Sequence, residues 1–454
     1  MDVHESGNPR GAGRGSLRAI CLVGLLVLAG CRTYADRLHE VRGLFYAGQL
    51  DAASAALDRH LQKGGPRADV LKLDRAVVEL CAGRPRQAER MLREVRDSLD
   101  YLEQASLAET ALAAMTDDTN AAYAGEDYEK ILLRVFLALA NLMGDGGDAT
   151  AYALQVGDVQ QRIIQAGADQ TGENPKLAYQ RVALGAYLYG ALCEETHANY
   201  DDVLRSAATV LEWEPSFAFG PGDLQRAQSG RHSAAGHGVL YVLALAGRGP
   251  RKEEAEEMPS TAALLIADRV LSATGKHTLP PTIAPLKVPK LVVSPWVFRG
   301  VEVSVGGRPA GTTATITDVG RLAAGQYEAI YPRVLARAIV RRTLKKGVLY
   351  AGKEALGVVN DSLGNAAMDL SGIVWEATES ADTRCWGLLP DRIQVLRLEL
   401  PAGEHEIGLC PVGGRYGGGL RHAAKVEIAD GRNTYLVANV PDDHVVGTIL
   451  TSRP

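Results

Sequence analysis

Cys31 is the residue whose position most directly suggests chemistry, because its thiol is a nucleophile and it directly follows an apolar run. Residues 19–30 (AICLVGLLVLAG) form that run, and a polar leader with three arginines precedes it. A basic leader, a short apolar stretch and small residues at its end are the pattern of a secretory signal peptide. The run is about half of the ~20 residues that a membrane-spanning helix needs. The sequence therefore predicts that residues 1–30 are removed and that residues 31–35 form a lipidated N-terminus.

The four residues Leu28-Ala29-Gly30-Cys31 resemble the lipobox of bacterial lipoproteins, in which the cysteine is acylated and becomes the first residue. The resemblance implies cleavage between Gly30 and Cys31 and lipidation of Cys31. More than one acyl chain gives stable membrane attachment, since each buried methylene contributes ~0.8 kcal/mol. Arg32 stands where an aspartate would signal retention in the inner membrane, which favours the outer membrane, facing the periplasm. The alternative is an ordinary secretory signal in which the cysteine is incidental.

Other candidate catalytic or metal-binding groups are weak. His232 and His237 are five residues apart, not the four of a helical metal-binding pair, and we expect both to be exposed in a loop. Residues 442–444 (DDH) are expected in a solvated turn. The glycine-rich residues 413–419 lack the Gly-Lys-Ser/Thr ending of a phosphate-binding loop. The sequence therefore predicts no catalytic constellation, no metal site and no cofactor.

Composition limits the partners. The net charge of −5 offers no basic excess for nucleic acid. After residue 31 no apolar run reaches membrane-spanning length, so we expect a body of two or three domains tethered by its N-terminus.

Four cysteines follow Cys31 at wide spacings, without the CxxC pattern of zinc or redox sites. Cys81 and Cys193 are expected to be buried thiols on helices. Cys385 and Cys410 are a possible disulfide, since an exported protein can form one. The alternative is two separate small apolar side chains.

Residues 36–216 show the 3.6-residue period of helices. Gly48 and Gly83 each end a helical segment and are 35 residues apart, close to the 34-residue period of tetratricopeptide repeats. A stretch around residues 187–215 fits the same pattern. We therefore expect tetratricopeptide-like helical hairpins that bind protein partners. The alternative is a general helical bundle that packs against the following domain.

Residues 217–235 are expected to be a linker, and residues 236–454 an α+β domain. Residues 239–246 (VLYVLALA) predict a buried strand, and residues 327–356 a long helix with a basic face. Near the end, the pattern predicts two strand–turn–strand units over residues 393–409 and 423–440, the second with a hairpin turn at Asp430-Gly431. The predicted fold is therefore α followed by α+β, with a small antiparallel sheet.

Two further segments, residues 247–254 (GRGPRKEE) and 381–390 (ADTRCWGLLP), together with residues 128–145, resemble a family of uncharacterised bacterial lipoproteins. The matching positions of the two segments are Gly247, Pro250, Lys252, Asp382, Arg384, Trp386, Leu389 and Pro390. The resemblance implies an envelope lipoprotein with tetratricopeptide-like helices, and it carries no activity. From the residues themselves, Asp382 and Arg384 could pair and Trp386 could be a buried anchor. A ligand-binding loop is one interpretation of this segment, and a structural corner between helix and sheet is the other.

These observations predict a non-enzymatic envelope lipoprotein that scaffolds protein partners or touches cell-wall material. The alternative is a periplasmic glycan-binding or hydrolytic enzyme that uses the C-terminal domain.

Overall fold

A computed structural model describes residues 34–108, 122–168, 172–273, 285–295, 299–355, 380–413 and 419–453. The predicted signal peptide, Cys31 and a predicted apolar helix at residues 363–379 lie outside these ranges.

Nine helices come first along the described chain. They are α1 (Tyr34–Tyr46), α2 (Leu50–Leu61), α3 (Ala68–Cys81), α4 (Pro85–Ala108), α5 (Asp127–Gly144), α6 (Ala149–Gln165), α7 (Leu184–Glu195), α8 (Tyr200–Trp213) and α9 (Gly220–Ser229).

The helices up to α9 form an array in which each helix packs against its chain neighbours. The predicted turn glycines, Gly48 and Gly83, have φ of 74° and 79°, a backbone conformation that glycine adopts without the steric penalty of a Cβ. Close packing also depends on Gly190 of α7, where an added Cβ would lie 2.9 Å from the Cβ of Ser206 on α8. Successive helical hairpins in residues 36–216 are therefore present as predicted.

Eleven strands and two further helices make up the rest. The strands are β1 (His237–Ala246), β2 (Arg251–Glu257), β3 (Leu286–Val292), β4 (Gly300–Val305), β5 (Arg308–Thr312), β6 (Ala314–Asp318), β7 (Arg392–Pro401), β8 (Gly403–Val412), β9 (His422–Ile428), β10 (Asn433–Val440) and β11 (Leu450–Thr451). The helices are α10 (Thr261–Ala273), where the N–H of Ala263 donates to the side chain of Ser260, and α11 (Val319–Ala355).

The strands form a five-stranded sheet of order β11-β10-β1-β7-β6, which we call the inner sheet, and a four-stranded sheet of order β5-β4-β8-β9, which we call the outer sheet. β2 and β3 form a separate ribbon. Leu240, Val242 and Ala244 of β1 face the four-stranded sheet across an aliphatic core. Alternate residues of β1, such as Tyr241 and Leu243, lie instead in the core that the sheet shares with the helices. The molecule is thus layered as helices, sheet and sheet, with β1 buried on both faces.

The strand–turn–strand predictions located the strands correctly but paired them wrongly. β7 and β8 belong to different sheets, and so do β9 and β10. β10 instead pairs in parallel with β1 and antiparallel with β11. A strand has two hydrogen-bonding edges, and those of β10 are already taken, so the turn at Asp430-Gly431 is a crossing between sheets.

The linker prediction for residues 217–235 is also wrong. Phe217 is 1% exposed and belongs to the core shared by helices and sheet. The next residues form α9, with Gly230 in the left-handed conformation at its end. This segment joins the helical array to β1 without a break in the packing.

The long basic helix is present as α11 and begins earlier than predicted. Its arginines differ in surroundings: Arg341 is buried, Arg333 and Arg342 donate to the carbonyls of Gly167 and Pro285, and Arg337 is exposed. Among the described residues, no helix combines the length and apolarity required to cross a bilayer.

Candidate functional site

Residues 128–145, 247–254 and 381–390 are far apart in sequence but meet at one place. We call residues 381–390 the strap; all of them except Asp382 are buried. The strap runs between α1, α3 and α5 on one side and the start of β2 on the other. The strap and the side chains that hold it form the candidate site.

Two buried carboxylates hold the backbone of the strap. The N–H of Trp386 donates to Oε1 of Glu129 on α5 over 2.7 Å, and the N–H of Leu388 donates to Oδ1 of Asp74 on α3 over 2.8 Å. Both acids are 0% exposed. Burial, which penalises the charged carboxylate, raises the pKa of each to about 7. The helices therefore present two acceptors to N–H groups that are two residues apart in the strap.

The start of α5 explains why an acid is buried there. Glu129 occupies the third position of a capping box, accepting from the backbone N–H of Glu126 over 3.2 Å. The hydroxyls of Tyr123 and Tyr128 also donate to it. Glu129 thus both closes the helix end and accepts from the strap, and its several donors offset the unfavourable burial of a carboxyl group.

Asp382 and Arg384 pair as predicted. The Nε and Nη2 of Arg384 donate to the two oxygens of Asp382 over 2.8 and 2.7 Å. The third guanidinium nitrogen, Nη1, donates to the carbonyl of Pro66 in the loop before α3, and the guanidinium stacks 5.5 Å from the ring centre of Tyr123. The pair therefore fixes the strap to the helical array.

Residues 247–254 hold the strap from the opposite side. Gly249 donates to the carbonyl of Leu389 over 2.9 Å, and a Cβ on Gly249 would lie 2.4 Å from that oxygen. Lys252 forms an ion pair with Glu126. Although burial lowers the pKa of Lys252, the Glu126 carboxylate holds it above its usual value.

Trp386 is a buried anchor, as predicted. It is 0% exposed, with its ring centre 5.0 Å from that of Phe136 on α5. Pro390 is buried and lies two residues before β7. A side chain with no exposed surface cannot take up a ligand from solution, so the geometry supports the structural corner rather than the ligand-binding loop.

The two cysteines of the possible disulfide are both free. Cys385 is buried in the strap between helices and β2, where burial raises the pKa of its thiol to about 12. Cys410 lies on β8 in the outer sheet, with its Sγ 3.4 Å from the carbonyl of Gly419. The strap thus places Cys385 against the helices, away from β8. Cys81 and Cys193 are buried and free as predicted.

The expectation of exposed histidines is wrong for His232. It is 2% exposed, its Nε2 lies 2.8 Å from Oδ1 of Asn433, and its ring packs 4.9 Å from that of His197. Burial lowers its pKa. Asp442 of the predicted solvated turn pairs with Arg248. Among the described residues, no group of three or more potential ligands is arranged to hold a metal ion.

Glu194 of α7 organises a second buried polar cluster that sequence patterns did not indicate. It accepts from Nε of Arg226 over 2.9 Å and from the hydroxyl of Tyr241 over 3.3 Å. Arg397 approaches to 3.9 Å. The adjoining cavity of about 30 Å³ is far smaller than the ~300 Å³ lower limit of typical ligand sites. This cluster ties α7 and α9 to the inner sheet.

An open groove on the helical array is larger. It has a volume of about 750 Å³ and lies between α4, α5 and α6. Arg134 lines it with 2% side-chain exposure and pairs with Asp100. The other charged residues of its wall are Arg96, Asp97, Asp158 and Arg162.

The chain matches no family model, no curated protein and no solved structure.

Proposed function

We propose that this protein is a bacterial envelope lipoprotein, anchored through acylated Cys31, that acts as a non-enzymatic scaffold or adaptor at the outer membrane. The single observation that carries the proposal is the basic leader and apolar run that end in Leu28-Ala29-Gly30-Cys31. Spacing and residue types agree with acylation at each of these positions.

The layered fold supports a scaffolding role. One hydrophobic core runs from α1 through the array to β1 and β7, so the helices and the inner sheet present fixed surfaces. The strap lies within this core and is not available to a partner. The charged groove between α4, α5 and α6 is open, and we propose it as the partner-binding surface.

We further propose that the array is tetratricopeptide-like. The 35-residue spacing of Gly48 and Gly83 supports this, and so does the hairpin of α7 and α8. In that hairpin Tyr187, Ala191, Val203 and Val210 are all buried at the positions that the repeat pattern requires.

Two experiments test the proposal. The full-length chain should label with palmitate and sediment with membranes, while Cys31→Ala should lose the label; a variant that still labels would refute the anchor.

For the scaffold, a photo-crosslinking residue at Gln155, in the groove, should capture a reproducible envelope protein or cell-wall fragment in cells. The same residue at exposed Glu212 on α8 is the control, and equal products at both positions would refute the groove.

A further inference from the structure

The described fold begins almost at the proposed lipid anchor. Tyr34 is the first residue of α1 and is 6% exposed, and its hydroxyl donates to Asp74 over 3.3 Å. The next residue, Ala35, donates its N–H to the Thr383 hydroxyl of the strap. Three residue steps separate Cys31 from Tyr34, and they span at most about 11 Å when fully extended. The surface around the start of α1 must therefore lie close to any membrane that holds Cys31.

That surface carries a group of basic side chains. Arg37 lies in the first turns of α1, and Lys63 and Arg67 lie between α2 and α3. Arg37 and Arg67 are partly exposed, and neither forms an ion pair with another described residue. We call Arg37, Lys63 and Arg67 the N-terminal basic face. Arg384 lies beside this face but is buried and paired with Asp382.

Contacts with the strap bring Arg37 and Arg67 together. Ala35, two residues before Arg37, donates to Thr383, and Arg384 donates to the carbonyl of Pro66, which precedes Arg67. Burial, and then the positive charges of Arg37 and Arg384, hold the pKa of Arg67 below its usual value, against the opposing carboxylate of Asp382. The nearby acids are already engaged: Asp382 pairs with Arg384, Glu40 of α1 pairs with Arg59, and exposed Asp36 of α1 also has a partner. Two unpaired guanidiniums in one place are a site for an anion, and phosphate matches their geometry.

We propose that the N-terminal basic face docks on the anionic phospholipid headgroups of the membrane that holds Cys31. This inference rests on the proposed lipidation. Lipid chains supply the attachment, and the basic face orients the body, with the strap end toward the bilayer. Basic residues beside a lipid anchor are a recognised second attachment signal.

The test uses the mature lipidated protein in vesicles of phosphatidylcholine, alone or with roughly one third phosphatidylglycerol as the anionic lipid. A fluorophore on Gln62→Cys, in a Cys410→Ser background, reports quenching by headgroup-labelled lipid. We expect stronger quenching in the anionic vesicles. Each basic charge removed from the face should reduce, about fivefold, the population of molecules that hold this face against the bilayer. Salt at about 1 M, where the Debye length is about 3 Å, should abolish the difference between the vesicles.

The deciding variant is Arg37→Glu/Arg67→Glu. It should label with palmitate as the parent does and should lose the lipid-dependent quenching. Arg90→Glu/Arg231→Glu changes the charge equally at exposed positions outside the face and should behave as the parent. Palmitate-labelled protein that is quenched equally in both vesicles overturns the basic face alone. Protein that takes up no palmitate overturns the anchor and, with it, this orientation.

Discussion

The two faces of β1 are buried to the same degree but differ in chemistry. Leu240, Val242 and Ala244 meet the outer sheet in a core whose buried apolar side chains are all aliphatic. On the opposite face, Tyr241 stacks on Tyr435 at 5.3 Å and reaches Glu194. An aliphatic core tolerates changes that keep the total side-chain volume and the apolar pattern. Buried hydrogen-bonded groups instead require one particular arrangement. The comparison suggests that the sheet–sheet interface supplies stability and that the helix–sheet interface sets how the two halves fit.

The largest expected effect is at the strap, on the helix side. Trp386→Ala removes a fully buried side chain that packs against Phe136, and it should lower the free energy of unfolding by about 5 kcal/mol, the upper end for such truncations. Urea denaturation followed by circular dichroism measures the loss. Trp213→Ala, at a partly exposed position of α8, is the control. A loss as small as that of Trp213→Ala would contradict the anchoring role.

Glu194→Ala tests the polar cluster directly. The change leaves the half-buried Arg226 and Arg397 without the buried carboxylate that they share, which should destabilise the fold by about 3 kcal/mol, the lower end for a broken buried pair. We expect a loss at the lower end of this range because Arg226 keeps Asp223 as a partner. Exposed Glu212→Ala should change the unfolding free energy little. Equal stability of the two variants would mean that the cluster contributes nothing to the interface.

The positions of β1 and of β7 to β10 could be predicted from the sequence, but the partners of β7 to β10 could not. Alternation along β9 and β10 shows which side chains share a face, and it says nothing about which sheet each strand joins. The Asp430-Gly431 turn is real, yet it links two sheets because β1 and β11 occupy both edges of β10. Pairing depends on contacts between residues far apart in the chain, which local pattern does not contain.

The candidate site was predictable in part for a similar reason. The short spacing of Asp382 and Arg384 made their pairing apparent, and the size of Trp386 made its burial apparent. Asp74 and Glu129 were missed because an acid on a helix ordinarily faces water. A signal was present for Asp74, since residues 70–81 (VLKLDRAVVELC) place apolar side chains on all sides of it.

The carboxyls that hold the strap predict a pH dependence. Their pKa is raised to about 7 in the folded protein, so the folded state binds more protons than the unfolded state between about pH 4 and pH 7. Their contribution is therefore greatest below about pH 4 and is lost as the pH rises through 7. The unfolding free energy of the parent should fall between pH 5 and pH 8. In Asp74→Asn, which can still accept from Leu388, this fall should be smaller by about 2 kcal/mol. Exposed Asp201→Asn should leave the fall unchanged. An identical pH profile for Asp74→Asn and the parent would show that Asp74 is ionised in the fold.

The smallest effect is expected on the aliphatic face, where the comparison is most sharply tested. Leu436 is 0% exposed between the two sheets, and Leu436→Met keeps its volume, so the loss of unfolding free energy should stay below about 1.5 kcal/mol. The adjacent Tyr435→Met faces the helices, and it removes both the stack on Tyr241 and the hydroxyl that accepts from Asn433. It should therefore be the more damaging of the two in urea denaturation. If Leu436→Met proved equally damaging, both faces of the sheet would demand a particular arrangement, and the distinction between a permissive and a specifying interface would fail.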